Sequence, residues 1–289
     1  MSQDTPVLAR TARGAIEYVC HGRGLPVLAL HGGMGGYDQG LILARALFGE
    51  VNNTRVVAVS RPGYLGSPLE GHSGADSQAD LYAALLDERG ISQVVVAAVS
   101  AGGPSALQFA ARHPARCRGV ILISAATGGL TVPPEVAARM RKMRVFARMP
   151  GFTRLLRWQA GRNPSRTAAR SVRDPALRER TLGHPQAGKL MRELQGSVMD
   201  GFARRLPGTL NDMAEGAAPL DNAIRAIRCP ILAVHGTADS IVPFAHAERI
   251  ARENPRGAVM AVEGGEHVVI FTHLDMIRGR VGAFLEAVS

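Results

Sequence analysis

The sequence has little of what holds a small or extracellular fold together. Its three cysteines, Cys20, Cys117 and Cys229, are widely spaced and form no C-x-x-C pair, so neither a zinc site nor a disulfide framework is indicated. This use of cysteine is typical of a protein in a reducing compartment. Aromatic residues make up 4% of the chain and lysine occurs only at positions 142 and 189.

Long apolar runs are also missing. No segment reaches the roughly 20 apolar residues that cross a bilayer, and the N-terminal stretch carries Asp4 and has no apolar core, so no secretory signal is predicted. We therefore expect a cytoplasmic protein with no integral membrane part. A chain of 289 residues with 46% hydrophobic residues buries a large core without disulfides or metals.

Positive charge is concentrated in one segment. The net charge is +10, yet residues 139–180 alone hold twelve arginines and Lys142 against Asp174 and Glu179. Two interpretations stay open: a solvated basic face, or a surface that attracts an acidic substrate or an anionic membrane. Nucleic acid is not an expected partner.

Short apolar runs closed by small or turn residues predict buried parallel strands. The runs lie at 27–30, 56–59, 94–99, 120–123, 231–234 and 259–262. Helical patterns such as 76–89 and 105–112 alternate with them, and a last helix is predicted at 274–288. The alternation predicts an α/β fold with a mostly parallel, doubly wound sheet of about eight strands. The opening segment, 7–20, is expected to add one or two antiparallel edge strands.

The alternation stops near Thr127 and resumes at Ile231, and the interval has helical patterns only. Asp174-Pro175 predicts a capped helix start, and Pro207-Gly208 predicts a turn. A helical insertion after a strand predicts a lid over the carboxyl edge of the sheet, where open α/β sheets bind ligands. We assign residues 1–128 and 220–289 to a core and 129–219 to a helical lid (cap).

The segment Ala98-Val99-Ser100-Ala101-Gly102 lies between a predicted strand and a predicted helix. It resembles the nucleophile elbow, G-x-S-x-G, of the α/β-hydrolase family, with Ala98 in place of the first glycine. Small residues suit such an elbow because the turn is sharp and its flanks approach each other. The resemblance implies that Ser100 is a nucleophile.

Two loops earlier in the chain resemble further motifs of this family. His31-Gly32-Gly33-Met34 is similar to its HG-x loop, which implies that the N–H groups of Gly33 and Ala101 form an oxyanion hole, with Met34 as a further candidate. His31 itself is expected to be a structural hydrogen-bonding group. The stretch 60–67, SRPGYLGS, resembles D-x-x-G-x-G-x-S, with Ser60 in place of the acid.

Two loops near the C-terminus complete the resemblance. His235-Gly236-Thr237-Ala238-Asp239 and the following Val242-Pro243 are similar to the family's G-x-x-D-x-x-V/I-P stretch, which implies that Asp239 is the triad acid. Gly264-Gly265-Glu266-His267 is similar to its G-x-x-H loop, which implies that His267 is the base, with His273 as an alternative. The order Ser, Asp, His is the one this fold uses.

The resemblance implies an enzyme that cleaves a carboxylic ester, or a lactone, of a small acyl substrate through an acyl-enzyme on Ser100, with no metal or organic cofactor. Two alternatives stay open: hydrolysis of a C–C or amide bond by the same triad, as in the meta-cleavage-product hydrolases and proline iminopeptidases, and a ligand-binding receptor on a hydrolase body. Serine at the elbow argues against the epoxide hydrolases and dehalogenases. A homo-oligomer is left open.

Several apolar side chains of the predicted lid are candidates for the substrate pocket, or they pack the lid against the core. These are Met140, Met143, Phe146 and Trp158, with Met149, Phe152, Leu155 and Leu156 as further members. Methionine suits a pocket because its flexible side chain adapts to different shapes.

Overall fold

A mixed sheet of eight strands, in the order β1-β2-β4-β3-β5-β6-β7-β8, runs through the centre of the protein. The computed structural model describes residues 5–49, 53–146, 158, 168–169, 171–216 and 218–288. The strands are β1 Val7–Thr11, β2 Gly14–Gly22, β3 Leu25–Leu30, β4 Thr54–Val59, β5 Val94–Val99, β6 Cys117–Ile123, β7 Ile231–Gly236 and β8 Gly257–Val262.

The pairing of the strands confirms the predicted sheet. β1 pairs with β2 and β2 with β4 in antiparallel fashion, whereas all other neighbours are parallel. Most strands are longer than the apolar runs that predicted them. β6, for example, begins at Cys117 rather than at 120, because the polar and small residues before the buried run also join the sheet.

Helices cover both faces of the sheet, as a doubly wound fold requires. The described helices are α1 Tyr37–Phe48, α2 Ala75–Glu88, α3 Gly103–Arg112, α4 Pro134–Phe146, α5 Pro175–Gly183, α6 Pro185–Met199, α7 Phe202–Glu215, α8 Asp221–Ala226, α9 Ala245–Glu253, α10 Val269–Thr272 and α11 Leu274–Val288. One buried cluster joins the sheet to α2, α3, α8 and α9, and a second joins it to α1, α6, α10 and α11.

The described residues between β6 and β7 include helices α4 to α7, in the region predicted to be a lid, and α8, in the region assigned to the core. Asp174 caps α5 as its sequence predicts, and its Oδ1 accepts the N–H groups of Ala176 (2.8 Å) and Leu177 (3.3 Å). The division into a core, 1–128 and 220–289, and a lid, 129–219, stays a prediction.

Within the described ranges, no helix combines the length and the apolar character needed to cross a membrane.

The turn predicted at Pro207-Gly208 is wrong, because both residues lie inside α7. Proline has no N–H to donate to the preceding helical turn, and the N–H of Gly208 donates to the carbonyl oxygen of Gly63, 2.8 Å away. A Cβ on Gly208 would lie 2.2 Å from the ring of Tyr64. These two residues therefore form a docking point of α7 on the loop after β4, rather than a break between helices.

Two buried arginines join α7 to the core. Arg61, after β4, donates to both carboxylate oxygens of Asp212 on α7, at 2.9 and 2.5 Å. Arg205 on α7 donates to both carboxylate oxygens of Asp38 on α1, at 3.1 and 2.7 Å. Both guanidinium groups are almost fully buried. Bidentate pairing of this kind fixes orientation as well as charge, so the position of α7 on the core is tightly defined.

Removing Asp212 is expected to be strongly destabilising, because it leaves the charge of Arg61 buried without a partner. We expect Asp212→Ala to lower the free energy of unfolding by about 3–5 kcal/mol, measured by urea unfolding. The matched control is Asp87→Ala, which breaks the pair with Arg116 at a carboxylate that is 67% exposed and should cost under about 1 kcal/mol. Equal losses in the two variants would contradict this account of α7.

Candidate active site

Ser100 lies on a strained turn at the carboxyl end of β5. Its φ is +53°, in the left-handed region that residues with a side chain seldom adopt. A short 3₁₀ turn, Ser100–Gly102, leads directly into α3, and the carbonyl oxygen of Ser100 accepts the N–H of Ala126 at 3.0 Å. This strand–turn–helix arrangement is the context that the elbow motif requires.

The elbow is crowded on the side of Gly102. A Cβ there would lie 2.8 Å from the carbonyl oxygens of both Leu30 and His31 at the end of β3. Glycine at this position is therefore a requirement of packing. Ala98, which replaces the other elbow glycine, is fully buried inside β5 and pairs with Leu30 and Leu122 on the two neighbouring strands.

The structure brings Ser100, His267 and Asp239 into one hydrogen-bonded row. Nε2 of His267 lies 3.1 Å from Oγ of Ser100, and Nδ1 of His267 lies 2.8 Å from Oδ2 of Asp239. An ionised carboxylate only accepts hydrogen bonds, so Nδ1 carries the proton on this side of the ring. Nε2 is then left to accept the serine O–H. The arrangement can deprotonate the hydroxyl of Ser100.

The carboxylate of Asp239 is enclosed by hydrogen-bond donors. Its Oδ1 accepts the N–H groups of Ile241 (2.8 Å) and Val242 (3.0 Å). Burial by itself raises the pKa of this carboxyl, but the hydrogen bonds from His235 and His267 outweigh it and hold the pKa well below its usual range. Asp239 is therefore ionised whenever the protein is folded near neutral pH.

His235 is a residue that the sequence motif did not single out. Its Nε2 lies 2.8 Å from the carbonyl oxygen of Val242 and 3.2 Å from Oδ2 of Asp239. A carbonyl can only accept, so this nitrogen carries a proton and donates to both oxygens. The sequence hid this role because His235, the fifth residue of β7, precedes the acid by four positions and meets it only when the loop folds back.

The loops that carry Asp239 and His267 are bound to each other. The N–H of Ala238 donates to the carbonyl oxygen of Gly265 at 2.9 Å, and the N–H of Gly264 donates to Oγ1 of Thr237 at 2.9 Å. This pairing fixes the separation between the acid and the imidazole.

Arg173, from the predicted lid, spans the same two loops. Its Nε donates to Glu266, next to His267, at 3.0 Å, and its NH2 group donates to Ser240, next to Asp239. The side chain of Arg173 is 64% exposed, so water and salt weaken this contact.

Of the three predicted oxyanion-hole residues, Gly33 and Ala101 stay candidates, on the loop after β3 and next to Ser100 in the chain. Gly33 lies on the loop after β3, and a Cβ there would meet nothing within 4 Å, so the space beside it is open. Ala101 follows Ser100 at the start of the 3₁₀ turn. Met34 differs, because its N–H donates to Oγ1 of Thr209 on α7 at 3.0 Å. That N–H is therefore not directed at a substrate in this arrangement.

His31 is buried, and its two ring nitrogens form hydrogen bonds that support the loop after β3. Its Nε2 accepts the N–H of Arg61 at 2.9 Å, so Nδ1 carries the proton and donates to the carbonyl oxygen of Gly32 at 2.7 Å. Burial and the charge of Arg61 hold the pKa of His31 well below its usual value.

His273, the alternative base, instead contacts Oγ1 of Thr272 at 2.9 Å, so the structure brings His267 and not His273 to Ser100.

The loop at 60–67 lacks the acid of the motif it resembles, and a carboxylate from another strand occupies the turn. Glu17 on β2 accepts the hydroxyl of Ser60 at 2.6 Å and the N–H of Gly66 at 3.2 Å. The hydroxyl of Ser67 donates to the carbonyl oxygen of Ser60 at 2.6 Å. Glu17 therefore closes this turn. The sequence of residues 60–67 alone does not predict that contact.

Two of the apolar lid candidates belong to the same packing cluster as Met34. Met140 and Met143, on α4, pack against the buried Phe202 and Leu206 of α7, as does Met34. The other two candidates face outward: Phe146 is 48% and Trp158 55% exposed. Met149, Phe152, Leu155 and Leu156 lie outside the described residues.

The described basic residues of α4 form a solvated face. Arg139, Arg141 and Lys142 are all exposed. Within the described ranges, no group of three or more His, Cys, Asp or Glu side chains is arranged to hold a metal ion.

The chain belongs to the α/β-hydrolase family, whose model matches residues 20–278. The protein is therefore an enzyme, a hydrolase, and the receptor alternative is set aside. A solved α/β-hydrolase fold protein from Nakamurella multipartita is 30% identical, with a TM-score of 0.83 over 96% of this chain and 98% of that one.

Two relatives with named activities act on different substrates. A 2-hydroxymuconate semialdehyde hydrolase from a Pseudomonas species is 26% identical over 91% of this chain and 88% of its own length. A pimeloyl-(acyl-carrier protein) methyl ester esterase from Aromatoleum aromaticum is 26% identical over 76% of this chain and 82% of its own length.

The lowered pKa of Asp239 makes a prediction about acid stability. A carboxyl whose pKa is lower in the folded than in the unfolded state stabilises the fold fully above the unfolded value, about 3.9, and this stabilisation declines as the pH falls from there towards the lower pKa of the folded state. We expect wild type to exceed Asp239→Asn in unfolding free energy at pH 5, and the difference to shrink towards pH 3. Urea unfolding at both values measures it.

The control for this prediction is Asp87→Asn, at an exposed carboxylate. Its effect should stay under about 1 kcal/mol at both pH values. A difference between wild type and Asp239→Asn that grows on acidification would show that the acid is not held ionised by its neighbours.

Proposed function

We propose that the protein is a serine hydrolase that cleaves a carboxylic ester of a small acyl substrate, including lactones, through an acyl-enzyme on Ser100. The observation that carries the proposal is the row of two hydrogen bonds, 3.1 Å from Ser100 to His267 and 2.8 Å from His267 to Asp239. Serine is a weak nucleophile unless a base lies within such reach.

The chemistry follows from these positions. His267 takes the proton of Ser100 through Nε2 as the serine oxygen attacks the carbonyl carbon, and it then gives that proton to the leaving alkoxide. Asp239 holds the ring in the required tautomer and stabilises the imidazolium. Water activated by His267 attacks the acyl-enzyme, which releases the acid and restores Ser100.

The negative oxygen of the tetrahedral intermediate is held by the N–H groups of Gly33 and Ala101 in this proposal. Each such donor is worth roughly 3–4 kcal/mol in the transition state. The engaged N–H of Met34 leaves this residue with a different role. Its side chain packs against Phe202 and Leu206 of α7, as do Met140 and Met143.

Cleavage of a C–C bond by the same triad is a second candidate, favoured by the relative that hydrolyses 2-hydroxymuconate semialdehyde. The esterase relative favours the first candidate. Parallel assays with p-nitrophenyl esters and with a vinylogous 1,5-diketone separate them, because a C–C hydrolase cleaves the diketone at a kcat/KM at least comparable to that of the ester.

The triad assignment predicts large losses in two variants and none in a third. Ser100→Ala and His267→Ala should each lower kcat for a p-nitrophenyl ester by about 10⁴-fold or more. His273→Ala is the matched control, since it removes a nearby histidine that does not contact Ser100, and it should stay within about threefold of wild type.

A fluorophosphonate probe checks the same assignment independently of substrate choice. We expect rapid labelling of Ser100 in wild type and in His273→Ala, and none in Ser100→Ala. Ester hydrolysis by pure Ser100→Ala within tenfold of wild type would overturn the proposal.

The packing of Met140 and Met143 against Phe202 and Leu206, where Met34 also packs, predicts a role in acyl-chain choice. Met140→Ala and Met143→Ala should change the ratio of kcat/KM for octanoate over acetate esters by about tenfold, since a few methylene contacts are worth 1–3 kcal/mol. Phe146→Ala and Trp158→Ala, at exposed positions, serve as controls. An unchanged ratio in the methionine variants would mean that these side chains only pack the lid.

A further inference from the structure

Two of the three cysteines meet at the amino-terminal edge of the sheet, opposite the candidate active site. The Sγ atoms of Cys117 and Cys229 lie 3.6 Å apart and share a hydrogen bond. Cys117 begins β6 and is buried, whereas Cys229 lies two residues before β7 and is partly exposed. Both thiols are free, and the proposed hydrolytic mechanism uses neither.

An extra residue in β6 makes this meeting possible. Val94 and Val95 of β5 are consecutive, yet they pair with Cys117 and Gly119, so Arg118 is a bulge residue with no partner on β5. Val120 pairs with Ile231 of β7. If one counts back along both chain segments from that pair and leaves out the bulge residue Arg118, Cys117 lies directly opposite Cys229.

The spacing suits a covalent bridge between these two cysteines and no other pair. Neighbouring strands lie about 4.8 Å apart, inside the Cα separation of roughly 4.4–6.8 Å that a disulfide spans. Cys20 lies on β2, four strand intervals from β6 in the sheet order, or about 19 Å. Cys20 is therefore an internal control for any reaction of the pair.

The environment also makes one of the two sulfurs the better nucleophile. The hydrogen bond between the two thiols lowers the pKa of Cys229 and raises that of Cys117, and the charge of Arg256 also lowers the pKa of Cys229. Thiolate character and exposure together determine which cysteine an oxidant attacks. Cys229 has both, and Cys117 lies in place to resolve the product.

We propose that Cys117 and Cys229 are a reversible dithiol that a hydroperoxide converts to a disulfide, stapling β6 to β7. The sulfur of Cys229 attacks the peroxide, the O–O bond breaks, a sulfenic acid forms and an alcohol or water leaves. The sulfur of Cys117 then attacks that of Cys229, the S–S bond forms, and the S–O bond breaks to release water with the Cys117 proton. Two thiols are oxidised by two electrons and one peroxide is reduced.

The bridge would close a long loop that contains the whole segment between β6 and β7. Cross-linking such distant residues restricts the unfolded chain and so favours the folded state. It also joins the strand before the loop of Asp239 to its neighbour at the far end of the sheet. The oxidised protein is expected to resist unfolding better than the reduced one, with the active-site edge unchanged.

The test uses the full chain, treated with a small molar excess of hydrogen peroxide and then denatured and alkylated. We expect free thiols to fall from three to one, the intact mass to fall by two hydrogens, and a peptide containing Cys117 to be linked to one containing Cys229. Dithiothreitol should restore all three thiols. The Tm of the oxidised form should exceed that of the reduced form by on the order of 5 °C.

Matched variants make the result specific. Cys20→Ser should still lose two thiols, whereas Cys117→Ala should trap a sulfenic acid on Cys229 that reacts with dimedone. Three free thiols after peroxide, a linkage through Cys20 or between two chains, or an unchanged Tm after bridging would each overturn the proposal. The wild-type and Cys20→Ser measurements decide it even where an alanine variant fails to fold.

Discussion

The buried carboxylate of Asp239 is the constraint on which the site depends. It accepts two backbone N–H groups of its own loop and two imidazole N–H groups, from His235 and His267. A buried carboxylate with fewer donors would take up a proton. The tautomer of His267 would then no longer be fixed, and Nε2 would no longer be held ready for Ser100. The reactivity of the serine is therefore set by groups on a different strand, two places along the sheet from its own.

The other half of the site depends on α7, which belongs to the predicted lid. The side chain of Arg61 donates to the carbonyl oxygen of His31 at 2.9 Å while Asp212 of α7 holds its charge. Thr209 of the same helix takes the N–H of Met34. The loop that carries Gly33 is thus held on one side by Arg61 of the core and on the other by Thr209 of α7. The position of this loop therefore depends on α7 being packed against the core.

The sheet and the three residues singled out as a triad could be predicted because both leave local marks in the chain. Buried parallel strands are continuous apolar runs, and the chemistry lies in the turns that follow them. What the sequence could not give depends on contacts between distant segments. Glu17 closes the loop at 60–67 from another strand, Gly208, next to Pro207 in α7, donates its N–H to Gly63, and Cys117 meets Cys229 because of a one-residue bulge.

Backbone strain is gathered at the carboxyl edge of the sheet. Among the described residues, those other than glycine with positive φ are Met34, Leu65, Ser100 and Ser124, after β3, β4, β5 and β6 in turn. Such conformations persist only where their surroundings fix them. The N–H groups of Met34 and Leu65 donate to α7, and that of Ser124 donates to β7. In three of these four turns the strained residue is therefore held by a hydrogen bond to an element from later in the chain, and the carbonyl oxygen of Ser100 in the fourth accepts the N–H of Ala126, after β6.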